Sequence, residues 1–132
     1  MGTRSLTFVY DESGTAFVNM YRQYDGYMSG HGAELAEFLN SFDALVNGIP
    51  VGDTRKMANG MGCLAAQMVS HFKGNEAGQF YLYAVDEISC GQEYEYHIFS
   101  DHVMVNDYDG DVVFNGTWKE FYEATHEDEV TA

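Results

Sequence analysis

Arg22, Tyr24, Asp25, Tyr27, Ser29 and His31 fall within the ten-residue stretch RQYDGYMSGH, directly ahead of an amphipathic run that begins at Ala33. A guanidinium recognises phosphate or carboxylate in a planar, bidentate way, and tyrosines stack on a base or sugar. The unpaired N–H groups of a helix's first turn complete an anion site, and a histidine adds a pH-sensitive donor. A second loop, GDTRKMANGMG over Gly52–Gly62, repeats the logic with Arg55, Lys56 and Asn59 ahead of Cys63. Asn and Gly adopt positive φ readily, so this backbone can form an anion-binding nest.

Together the two loops suggest a small nucleotide-like or phosphorylated ligand held between Arg22 and Arg55. The same residues also fit simpler roles: Arg22 paired with Asp25 and tyrosines covering a sheet edge in the first loop, two solvated cations at a helix start in the second. The ligand reading requires the loops to meet. A tight antiparallel helix pair would set them at opposite ends, whereas the long connection between the helices allows them to come together. The first loop matches neither GxxxxGK[ST] nor GxGxxG, and no cofactor is assigned.

Three further constellations carry chemistry on paper. Cys63 at a helix start could act as a nucleophile with His31 as base; His71 lies eight residues along the same helix, ~12 Å away and beyond hydrogen-bond reach. A buried inert thiol is the simpler reading. Asn106-Asp107-Tyr108-Asp109-Gly110-Asp111 resembles a calcium loop, but setting Gly110 at the sixth position puts Val105 first and Gly116 twelfth, so an Asp-Gly turn between strands fits better. Glu93, Glu95 and His97 share one strand face at ~6.6 Å spacing, too far apart to share one ion easily. No metal site is assigned. His102 and His126 are expected at the surface, and the seven methionines read as core filler.

Composition bounds the possibilities. The chain has 132 residues, 45% hydrophobic and 15% aromatic, with 21 acidic against 6 basic side chains and a formal net charge of −15. That hydrophobicity is far from the disordered regime, and the length suits one domain with its own core. The negative charge argues against direct nucleic-acid binding, which depends on neutralising phosphates, and favours a basic protein surface. No apolar run approaches a membrane span, and MGTRSLTFVY lacks the apolar stretch of a signal peptide, so a cytoplasmic location is expected. Cys63 and Cys90 form no CxxC pair and are expected as free thiols.

The elements that must position these residues follow from hydrophobic periodicity. Leu6–Tyr10 and Ala16–Arg22 alternate around a turn at Asp11–Thr15, predicting a hairpin with Arg22 at its end. The spacing predicts a helix over Ala33–Val46, stopped by Asn47-Gly48 and Pro50, and a second with Met61, Leu64, Ala65, Met68 and Phe72 on one stripe, ending at Lys73-Gly74. Strands are predicted at Phe80–Val85, Tyr94–Phe99, Val103–Val105 and Val112–Phe114. Thr117 and Glu120 fit the capping box of a final helix, although Asn115-Gly116 could instead turn a hairpin. The order is ββααβββ(β)α: an α+β fold with an antiparallel sheet of five or six strands and two main helices on one face. Residues 1–125 form a single domain and 126–132 an acidic tail.

The segments YRQYDGYMSGHGAELAEFL and ANGMGCLAAQ, with GTRSLT and CGQEYEYHI, resemble a family of small bacterial and phage proteins that brings no established activity. The resemblance implies an accessory role such as counter-defence or ligand sequestration and assigns no residue. The leading expectation is a non-enzymatic protein holding a small anionic ligand. The alternatives are an acidic protein that blocks a basic surface as a nucleic-acid mimic would, and a small Cys63-dependent enzyme. Sequence leaves the oligomeric state open, a homodimer included.

Overall fold

The computed structural model describes residues 2–46, 48, 52 and 55–126. Strands β1 (Ser5–Tyr10) and β2 (Ala16–Arg22) form the expected hairpin, closed by Asp11, whose carboxylate accepts from the N–H groups of Ser13 and Thr15. A π-helical turn, Met28–Gly32, leads into α1 (Ala33–Leu39); β3 (Ala44–Val46), β4 (Met57–Asn59) and α2 (Gly60–Lys73) follow. The second half runs β5 (Phe80–Tyr83), β6 (Tyr94–Ile98), β7 (Val103–Asp107), β8 (Val112–Gly116) and α3 (Trp118–Thr125).

Six strands form one sheet in the order β5-β2-β1-β6-β7-β8, and β3 pairs with β4 in a separate parallel ribbon. The α+β architecture and helix-backed sheet are as expected. The sheet is mixed, however, because β6 lies parallel to β1. The cause is the connection from β5 to β6. β5 already runs with β1, and the connection returns along the sheet before β6 begins on the far side of β1, so β6 runs with β1 as well.

Period-two alternation assigns the faces. Val9, Met20, Phe80, Tyr96, Ile98, Val103 and Val105 point to the helices and form the main core with Leu35, Leu39, Met61, Leu64, Met68 and Phe121. Leu6, Phe8 and Tyr21 occupy the opposite face, where the crossing segment buries them beneath Cys90. Asn19 fastens that segment by donating its amide to the carbonyls of Ala84 and Glu87 at 3.0 and 3.1 Å. The two thiols are both free and partly buried.

The first helix is shorter than its periodicity predicts. It ends at Leu39, where Asn40 donates to the carbonyls of Ala36 and Trp118, and Ser41 caps the carbonyl of Phe38. Ala44–Val46 then joins β4 as a strand, its start fixed by the Asp43 carboxylate on the N–H of Lys56. Apolar residues at helical spacing therefore served two elements, and a tertiary partner decided between them. Of the expected stop at Asn47-Gly48 and Pro50, residues 47 and 50 lie outside the described residues. The capping box at Thr117 and Glu120 is present and starts α3, which excludes the hairpin alternative and seats Phe121 fully in the core, worth about 2–3 kcal/mol.

Candidate functional site

Arg22 ends β2 on the helix-facing side and turns inward; the residue is 4% exposed. Its Nε donates to the carbonyl of Tyr24 at 2.8 Å, Nη1 to His31 Nδ1 at 3.1 Å, and Nη2 to Glu34 at 3.2 Å, while the guanidinium stacks over Phe80. With its amide turned to suit its neighbours, Gln79 also accepts from Nε and Nη2 at 3.2 Å. Because Nδ1 of His31 faces a donor it must accept, so Nε2 carries the proton and donates to Thr7 Oγ1 at 2.8 Å. His31 is completely buried among Phe72, Phe80 and Tyr96. Burial, reinforced by the adjacent Arg22, pushes its pKa down to about 3 and keeps the ring neutral.

The remaining first-loop residues divide between backbone turn and surface. Asp25 adopts φ 62° and its carbonyl accepts from the N–H of His31 at 2.7 Å. The Tyr27 hydroxyl lies 3.4 Å from the Asp25 carboxylate, and Tyr24, Tyr27 and Ser29 are exposed. Arg22 pairs with Glu34 rather than with Asp25.

The second loop sits at the other end of α2. Lys56 Nζ donates to Ser41 Oγ and lies over the Phe42 ring, and Asn59 accepts from the N–H of Gly48. Arg55 is exposed beside Lys56. The N–H of Met61, in the first turn of α2, is taken by the carboxylate of Glu12 at 2.8 Å. Glu12 belongs to the hairpin turn, whereas the far end of α2 meets β5 through Lys73 on the carbonyl of Phe80, the residue paired with Arg22. The fourteen residues of α2, ~1.5 Å each, thus put ~20 Å between the loops. Arg22 and the Arg55–Asn59 segment do not share a hollow.

Cys63 is similarly separated from His31. It lies one turn into α2 and accepts from Gln67 at 3.3 Å, while His31 packs on Phe72, nine residues and ~13 Å further along the helix. His71 packs against Phe38 and Phe72. His126, expected at the surface, is buried and pairs with Glu37 at 3.1 Å, because the end of α3 folds back on α1. The rest of the expected tail, residues 127–132, lies outside the described residues.

The structure instead shapes an acidic cleft of about 210 Å³ where β6 begins and β7 turns into β8. Glu93, Glu95 and Asp107 line it together with Tyr94, Tyr108, Gln92 and Asn106. Hydrogen bonds from His97 and Gln92 hold the Glu95 carboxyl below its ordinary value against the opposing pull of burial, keeping it ionised. His97 is in turn fixed by the Tyr10 hydroxyl at 2.7 Å and by stacking on Phe8. Burial, aided by the Glu95 charge, pushes the Tyr10 phenol up, so this Tyr–His–Glu chain positions Glu95 and supplies no activated nucleophile. The alternation of Glu93, Glu95 and His97 was visible in the sequence; their partners, eighty-odd residues upstream, were not.

Next to the cleft, Asp107, Asp109 and Asp111 bring carboxylate oxygens within 4.8 Å of one another. The Asp107 carboxylate accepts from the N–H groups of Asp109 and Asp111, and Gly110 takes φ 85°, so the segment is the expected Asp-Gly turn. Among the described residues no helix is long and apolar enough to cross a membrane. Comparison with protein-family models, curated proteins and solved structures finds no match.

Proposed function

We propose that this is a non-enzymatic, acidic protein-interaction module that receives a basic segment of a partner protein, seating a lysine or arginine side chain in the cleft between Glu93, Glu95 and Asp107. The observation that carries the reading is that cleft: carboxylates at its lining, one of them held ionised, beside tyrosine rings that can lie against a guanidinium or ammonium. Net charge supports it, since a field of this sign accelerates encounter with a basic surface. The anionic-ligand alternative finds less support, because Arg22 and His31 are internal, Arg55 lies at the other end of α2, and the carboxylate of Glu12 occupies the first turn of that helix.

The test uses a fluorescently labelled arginine-rich peptide, with a glutamate-rich peptide of equal length as control. Glu93→Gln/Asp107→Asn is compared with Glu76→Gln/Asp86→Asn, which removes the same charge at exposed positions outside the cleft. Fluorescence anisotropy at low salt is expected to show a loss of several-fold for the first double variant and little for the second. Equal losses in both would reduce the attraction to net charge and defeat the assignment of the cleft.

A further inference from the structure

We propose that the groove between the end of α2 and β5 binds a small amphipathic carboxylate, a medium-chain aliphatic monocarboxylic acid, with its carboxylate on Lys73 and its chain along Val69 and Leu82. The groove follows from where the elements stop. Val69 and Lys73 lie four residues apart and share one face of α2. Met20 and Leu82 are cross-strand partners on the helix-facing side of β2 and β5. Met20 is covered, whereas Leu82, on the outer strand, is 59% exposed. The helix therefore leaves an open hollow of about 400 Å³ lined by these four residues with Phe80 and Tyr81. A space of that size, apolar but for one charged side chain, suits a small-molecule ligand.

Lys73 decides the charge of that ligand. Its ammonium donates to the carbonyls of Gly78 and Phe80 at 3.3 and 2.8 Å, and both of these partners are neutral. The Tyr81 ring, its centroid 5.2 Å from Nζ, attracts the charge without neutralising it. In a chain with 21 acidic side chains, Lys73 forms no ion pair with any described carboxylate, whereas the buried Arg22 has Glu34. An ammonium carries three N–H groups, so one remains after the two carbonyls. A carboxylate oxygen placed there completes the set with a charge-assisted hydrogen bond.

The rest of the chain narrows the class further. A net charge of −15 repels any anion at long range, and one half-exposed lysine gives a bare small anion too little to overcome it. Affinity must come from burying apolar surface against Leu82 and Val69. An apolar body bearing a single carboxylate meets both conditions. A nucleotide does not, because the groove offers one cation and no second charged donor for its phosphates. The groove lies at the β5 edge, away from the acidic cleft at β6 and β7, and neither site depends on the other.

Octanoate is the probe, titrated into the full chain by calorimetry and followed by amide NMR shifts, with acetate and 1-octanol as controls. Octanoate is expected to saturate one site and shift the amides of Val69, Lys73 and Leu82. Acetate should not bind, and octanol should bind about five-fold more weakly than octanoate. Lys73→Met should lower octanoate to the affinity of octanol and leave octanol unchanged, while Leu82→Asn, at an exposed position, should weaken both. Lys73 also ties down the start of β5, so circular dichroism checks each variant; if Lys73→Met does not fold, the three ligands and Leu82→Asn decide. No saturable octanoate binding, shifts confined to another part of the chain, or acetate or octanol binding as tightly as octanoate would each overturn the proposal. So would undiminished octanoate binding in a folded Lys73→Met or in Leu82→Asn.

Discussion

Replacing His31 by Gln removes a titration from the core while leaving a polar group against Thr7. The unfolded chain binds a proton on His31 near pH 6.5, but burial and Arg22 hold the folded ring neutral down to about 3. Protonation therefore favours the unfolded state throughout that window. The sign follows: stability is greatest above about pH 6.5 and declines by about 1.4 kcal/mol per unit as the pH falls. At about pH 5 the loss through this one group is about 2 kcal/mol, a large share of the ~5–15 kcal/mol typical of a domain. Glu34, the carboxylate facing Arg22, and the other acidic groups are the same in both proteins, so the comparison isolates His31. Urea unfolding near neutral pH and near pH 5 should show the parent losing about 2 kcal/mol more than His31→Gln. Equal losses in the two proteins would mean that His31 takes up a proton inside the fold, and the neutral hydrogen-bonded arrangement would be wrong.

Two glycines should respond in opposite directions. A Cβ on Gly62 meets nothing within 4 Å, so Gly62→Ala should stabilise by about 0.5–1 kcal/mol through helix propensity. On Gly30 the same atom would lie 2.5 Å from the carbonyl of Asp25 and 2.9 Å from the Tyr27 ring, and Gly30→Ala should cost about 1–3 kcal/mol. Denaturant midpoints would check both, and a stabilised Gly30→Ala would contradict the tight first loop. Thr117→Ala removes one half of the α3 capping box and should cost about 1 kcal/mol, read as a lower melting temperature; an unchanged melt would show that packing of Phe121 alone starts that helix.

Where local rules act alone, the sequence was legible. The hairpin, α2, the strands from Phe80 onward and the Thr117 cap rest on alternation, helical spacing and side-chain caps, and each lies within a few residues of its expected place. The end of α1 was not legible. Phe42, Leu45 and Val46 continue a helical stripe, and only the distant pairing of β3 with β4 draws that segment into a strand. The parallel β1–β6 pair depends on the crossing segment running back to the end of the sheet where β5 began, a tertiary choice to which residues 84–93 give no local signal. At the first loop the residue types were informative but their direction was not. Arg22 shares a strand face with Val18 and Met20, and that apolar face continues inward past the strand's end onto His31, Phe80 and Glu34 instead of opening to solvent.

That inward turn bears on which kind of partner the surface can attract. Every donor-bearing nitrogen of Arg22 is engaged within the fold, so an incoming phosphate would have to displace Glu34 and reach a side chain from which solvent is nearly excluded. Lys56 is held by Ser41 and Phe42, and Lys73 by two carbonyls of the β5 segment. Half of the chain's six cations thus serve internal contacts, while most of the carboxylates, Glu93, Asp109, Asp111, Glu120 and Glu123 among them, face solvent. Formal net charge therefore understates how negative the accessible surface is. At the β6–β8 end of the sheet Glu93, Glu95, Asp107, Asp109 and Asp111 lie close together, so the negative field is concentrated there.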